Sequence, residues 1–250
     1  MRKNALLLLA VGCLVALAGC SGALTGGTDN EMTYPDGVSE NGTNVSKLTQ
    51  SHDAVLNGSS FTLRLNTTTN TSMGNQSLAL DAKVGQNRDQ VLVNVSGGGR
   101  NVTSYQTAEK RYTRLSMGGQ TVYRADDRTP QGQQFVTGSY SGSMYVDQFA
   151  QNANFTPNGT TQFNGETVVV LEADGSNVSD PQSANLTDYE ATMLVDEQGV
   201  VRKFDATVRT EANGAYNRVS LTMTISNVNE TSVPEPNWLD EARNQSNSDA

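Results

Sequence analysis

The stretch Phe61-Thr62-Leu63-Arg64-Leu65-Asn66 decides the fold. Apolar and polar side chains alternate strictly, the period-two signature of a strand with one face buried and one in water. The pattern returns at Leu78-Ala79-Leu80-Asp81-Ala82-Lys83-Val84 and at Val91-Leu92-Val93-Asn94-Val95-Ser96. Half-buried strands of this kind belong to antiparallel sheets. Asn66 and Asn94 fall on the polar side of their strands.

Working outward, Gly97-Gly98-Gly99 turns the chain into Asn101–Ala108 and Arg111–Ser116. Gly118-Gly119 reads as a hairpin into Thr121–Ala125, and Asn164-Gly165 precedes Glu166–Ala173. Tyr189, Ala191, Met193 and Val195 form another inward row. Asp196-Glu197-Gln198-Gly199 leads into the set Val200, Phe204, Ala206 and Val208. Asn213-Gly214 leads into Val219, Leu221, Met223 and Ile225. About ten strands in consecutive hairpins result.

Three short helices interrupt or flank them. Val45, Leu48, His52, Val55 and Leu56 recur at helical spacing and stop at Asn57-Gly58. Met144, Tyr145, Phe149 and Ala153 suggest a second helix, and Trp238–Arg243 a third after Val233-Pro234-Glu235-Pro236. The expected fold is mainly β (α+β): a curved antiparallel sheet, half a barrel, of about ten strands with two or three short helices on its concave face. The helices either pack tightly into a solid core or leave a slot; sequence leaves both open.

Upstream, Met1-Arg2-Lys3, an apolar run Ala5–Ala18 and Leu17-Ala18-Gly19-Cys20 have the order of a secretory signal closing in a lipobox. The run is too short for ~30 Å of hydrocarbon at ~1.5 Å per residue. The expectation is a signal peptide over 1–19, lipidation of Cys20, and a flexible tether over 20–33 with a reach of roughly 20 Å. A single β-rich domain over 34–243 and a disordered tail over 244–250 complete the expected organisation. Arg2-Lys3 is not an arginine pair, which favours the general secretion route. One acyl chain anchors only marginally, so retention calls for two chains or a second membrane contact. The expected location is the extracellular face of the membrane, as a monomer.

With Cys13 in the signal and Cys20 as the anchor, no disulfide is available. Setting Arg2 and Lys3 aside leaves 15 basic and 26 acidic residues, a net of −11. That balance excludes nucleic acid and argues against anionic headgroups as electrostatic partners. It fits either life in high salt or simply an acidic exported protein.

Fourteen Asn-x-Ser/Thr triplets occur, at Asn41, Asn44, Asn57, Asn66, Asn70, Asn75, Asn94, Asn101, Asn154, Asn158, Asn177, Asn185, Asn229 and Asn244, where chance gives about five. They are candidate N-glycosylation sites, or the coincidence of polar loops.

Catalytic chemistry is not found. Gly138-Ser139-Tyr140-Ser141-Gly142 has tyrosine where a hydrolase elbow needs serine. His52 is the one histidine and reads as a core or rim residue with a local partner. No zinc set exists, and Asp126-Asp127 reads as a solvated turn or a weak calcium contact. Gly97–Gly99 lacks the Lys-Ser/Thr of a phosphate loop. No cofactor, metal or catalytic residue is assigned. Met73, Met117, Met144, Met193 and Met223 line an adaptable pocket or are ordinary filling.

The lipobox, Tyr34-Pro35-Asp36-Gly37-Val38-Ser39, the first helix, Val195-Asp196-Glu197-Gln198-Gly199-Val200-Val201-Arg202 and Val233-Pro234-Glu235-Pro236-Asn237-Trp238-Leu239-Asp240-Glu241-Ala242 together resemble a family of haloarchaeal surface lipoproteins of unassigned function. More remotely, the architecture is similar to LolA-like lipoprotein carriers and their mycobacterial relatives. That resemblance implies an apolar hollow for acyl chains and carries over no site residues. Two functions remain open: a non-enzymatic lipoprotein holding a lipid-like or hydrophobic ligand, or a structural adaptor with a solid core that binds another envelope protein.

Overall fold

The computed structural model describes residues 33–127, 140–175, 178, 186–212 and 214–248. The expected signal peptide, Cys20, the tether up to residue 32, Asn177, Asn185 and Asn213 lie outside the described residues.

A two-residue hairpin, β1 (Val38–Ser39) and β2 (Gly42–Thr43), precedes α1 (Val45–Asn57). Asn44 caps α1, its Oδ1 accepting from the Lys47 amide at 3.0 Å. Both helix bounds agree with the sequence reading. Six strands follow: β3 (Phe61–Thr71), β4 (Gly74–Val84), β5 (Val91–Gly97), β6 (Arg100–Gln106), β7 (Lys110–Met117) and β8 (Gln120–Asp127). Then come α2 (Ser143–Ala150), β9 (Thr156–Phe163), β10 (Glu166–Asp174), β11 (Leu186–Val195), β12 (Val201–Ala212), β13 (Ala215–Ser226) and α3 (Leu239–Ser248).

β3 to β13 form one eleven-stranded antiparallel sheet in the order β8-β7-β6-β5-β4-β3-β13-β12-β11-β10-β9. The sheet is curved and open. Chain order runs outward from β3 to the β8 edge, then inward from the β9 edge until β13 closes against β3. Gly98-Gly99 (φ 58°, 74°) and Gly118-Gly119 (φ 59°, 80°) supply the two left-handed residues that tight hairpins with native twist require.

The strand beyond the expected ten is β9. Its Thr-Pro-Asn-Gly-Thr-Thr-Gln-Phe does not alternate, and Pro157 is tolerated because β9 is an edge.

Register sorts side chains into two faces. One, the α1 face, carries Leu63, Leu65, Ala82, Val93, Met223, Phe204, Met193 and Leu171. α1 and α2 lie here. Gly142, the N-cap of α2, packs on Met223 and Leu63 with no room for a Cβ. The Tyr189 hydroxyl donates to Phe149 O at 2.8 Å. α2 buries Val146 and Ala150, whereas Met144 points outward, so the sequence stripe through Met144 is displaced.

α3 lies on the other face. Trp238, Leu239 and Ala242 pack with Tyr105 and Tyr112, and the Tyr123 and Trp238 ring centroids stand 6.2 Å apart. α3 also continues through Ser248, beyond the Arg243 limit expected from sequence. Two helices, not three, therefore cover the α1 face.

Candidate functional site

With two helices for eleven strands, cover is uneven. On the α1 face, the row Leu65–Met223–Phe204–Met193–Leu171 runs in register across β3, β13, β12, β11 and β10, each residue at most 1% exposed. The same row continues the other way as Leu80, Val95, Val102, Leu115 and Val122 across β4 to β8. Here exposure rises: the first four are half-buried and Val122 is 44% exposed. Leu78 (41%) and Met117 (59%) stand one row along on the same face. This open wing is ~19 Å wide at ~4.8 Å per strand. Exposed apolar patches of this kind mark binding surfaces.

The polar interior is structural by comparison. His52 is fully buried. Its Nε2 donates to Ser141 O at 2.8 Å and its Nδ1 accepts from the Val201 amide at 3.1 Å. Burial, the dominant cause, pushes its pKa below the ordinary value; Asp53 and Asp196 oppose and Arg202 assists. His52 is thus a core residue, as read from the sequence, but its partners lie 89 and 149 residues away and are not local.

Asp53 accepts from the hydroxyls of Ser141 and Ser143. Sequence reasoning missed this cluster, which joins positions 88 and 90 residues apart. Both His52 nitrogens are engaged by backbone, so no imidazole serves Ser141 as a base. Arg88 approaches Asp53 and Tyr140, with its pKa lowered chiefly by burial.

A polar cleft of about 380 Å³ is lined by Glu166, Asp196, Gln198, Arg202 and Asn229. Arg202 is neutralised there by Asp196 and Glu166, each at 2.7 Å. Asp126 and Asp127 are not an isolated turn: they end β8 and face Arg111 (3.9 Å) and Lys110 (3.5 Å) of β7. Among the described residues no His/Cys/Asp/Glu group is arranged to hold a metal. Nor do the methionines share a pocket: Met193 and Met223 are core, while Met73, Met117 and Met144 are exposed.

Of the twelve triplet asparagines within the described residues, eleven are exposed and Asn70 is half-buried. Those in β3 to β6 (Asn66, Asn70, Asn75, Asn94 and Asn101) all fall on the α3 face by register. Asn94 Oδ1 accepts from Thr103 Oγ1 at 2.7 Å, which turns its nitrogen outward.

A model of a family of unknown function, DUF7537, aligns with residues 5–242. The chain belongs to that family. A search of curated proteins finds no match. Among solved structures, this family member is similar to lipoprotein LppX of Mycobacterium tuberculosis, at 13% identity over 76% of this chain and 98% of that one, with a TM-score of 0.38. It is also similar to LprF from Mycobacterium bovis, at 13% identity over 77% and 96%, TM-score 0.36. A LolA superfamily protein from Nitrosomonas europaea aligns at 10% identity over 76% and 94%, TM-score 0.29.

Proposed function

We propose that this protein is a non-enzymatic lipoprotein of the cell surface that holds a lipid-like or hydrophobic ligand against the open wing. The observation that carries the reading is the apolar row Leu80–Val95–Val102–Leu115–Val122, in register yet only partly covered. Burying such side chains under a hydrocarbon chain recovers ~25 cal/mol per Å². The filled β3–β13–β12–β11–β10 half gives the ligand no support, which favours the wing as its seat.

The experiment is organic extraction of natively purified protein followed by mass spectrometry. One lipid-like molecule per chain is expected. Protein free of stoichiometric lipid would leave the adaptor reading, in which the same apolar wing receives another envelope protein.

Attachment is proposed through lipid on Cys20, after cleavage that removes residues 1–19. Cys20→Ser is expected to move the protein from the membrane fraction to the medium, as assayed by immunoblot. Undiminished membrane retention would contradict the anchor. The exposed triplet asparagines are proposed to carry N-glycans.

A further inference from the structure

We infer that the open wing is also a membrane-contact face, which docks on anionic lipid headgroups. The inference rests on the ligand reading for its biological purpose and on two separate observations for its chemistry.

The first is local charge. The whole chain carries −9, yet the α1 face of the wing carries Arg100, Arg111 and Arg124 against one carboxylate, Asp126. Asp126 faces Arg111. Arg100 and Arg124 are exposed and make no ion pair among the described residues. They flank the apolar row: Arg100 beside Met117 on one side, Arg124 beside Thr113 on the other. A hydrophobic strip edged by unpaired guanidinium groups is the complement of an acyl surface beneath phosphates. Net charge argued against anionic headgroups, but a contact reads the patch and not the sum.

The second is the placement of glycan acceptors. The strand triplets of β3 to β6 occupy the α3 face, and Asn158 of β9 joins them beside Glu172 at 2.6 Å. Asn41, Asn44, Asn57 and Asn154 stand around α1 and α2, and Asn244 on α3. The α1 face of the wing has polar positions of its own (Arg100, Ser104, Thr113, Gln120, Arg124), and none begins a triplet. The described triplets thus leave the α1 face of the wing without a candidate glycan.

A contact of this kind is weak and reversible by itself. It supplies the second membrane signal that a sparingly lipidated cysteine calls for, and it leaves release by Cys20→Ser intact.

The test uses the chain from residue 20 carrying Cys20→Ser, floated with vesicles of equal parts phosphatidylglycerol and phosphatidylcholine in low-salt buffer. Binding is expected to these vesicles, to weaken with salt, and to exceed binding to pure phosphatidylcholine. Arg100→Glu with Arg124→Glu is expected to weaken partitioning by about 30-fold or more, at roughly 5-fold for each of the two basic side chains lost near an anionic surface. Lys83→Glu with Arg218→Glu makes the same change of net charge on the opposite face and is expected to leave partitioning within about 3-fold. Equal loss in both double variants, equal binding to neutral vesicles, or failure to float would each overturn the inference. Lipid extraction reads the ligand proposal independently, so either can fail while the other stands.

Discussion

Replacing His52 with alanine is expected to lower the free energy of unfolding by about 3–5 kcal/mol. The side chain is fully buried and ties three segments together: α1, the Ser141 carbonyl before α2, and the Val201 amide opening β12. Alanine leaves a cavity and strands one acceptor and one donor where water does not reach. Urea unfolding followed by circular dichroism measures the effect, and a loss below about 1 kcal/mol would mean the ring is not the bolt its bonds imply.

The same residue sets a pH dependence. Burial holds the folded His52 below its ordinary value of 6.5, so it is neutral in the native state. Once unfolded, it takes up a proton near 6.5. Below that pH the unfolded chain binds more protons than the folded chain, so stability is full above about 6.5 and declines as pH falls. In His52→Ala this component of the decline should vanish, and an unchanged profile between pH 6.5 and the folded value would refute the assignment.

The second large loss is expected for Asp196→Ala, again about 3–5 kcal/mol. Asp196 is 4% exposed. Oδ1 accepts from the amides of Gln198 (3.0 Å) and Val200 (2.8 Å), building the turn between β11 and β12. Oδ2 accepts from Arg202 Nε at 2.7 Å. Alanine removes the turn scaffold and leaves a largely buried guanidinium with Glu166 alone. Asp196→Asn keeps the two amide bonds to Oδ1 but loses the ion pair and sets an NH2 against Arg202 Nε, so it should cost less than alanine by those amide bonds, about 1–3 kcal/mol. Equal losses in the two variants would place the energy in the ion pair and not in the turn.

These residues show what the sequence discloses and what it hides. Strands β3 to β5 and β11 to β13 are legible because one face of each is buried, and burial writes period two into the chain; β6 to β8 and β10 are legible from the glycine turns that flank them. β9 is not, since an exposed edge with Pro157 has no face to protect. His52 was legible as a core residue from its place on the apolar stripe of α1. Its partners were not: Ser141 and Val201 lie 89 and 149 residues away. Asp53 sits on the polar side of that stripe and reads as solvent-facing until α2 brings Ser141 and Ser143 against it.

The wing shows the limit most clearly. Leu63 and Leu65 in β3 and Leu115 and Val122 in β7 and β8 occupy the same face. Only the landing place of α1 and α2 makes the first pair core and leaves the second open, and no local pattern records where a helix will land. Trp238 and Leu239 likewise announce an apolar helix face without saying that Tyr105 and Tyr112, on the far side of the sheet, will receive it.

The most direct test of the wing as a ligand seat is photo-crosslinking with a diazirine-bearing fatty acid, followed by peptide mapping. Adducts are predicted in β4 to β8, concentrated at Leu80, Val95, Val102, Leu115 and Val122, and competed away by unlabelled lipid. Adducts confined to the α3 face, or scattered without competition, would contradict it.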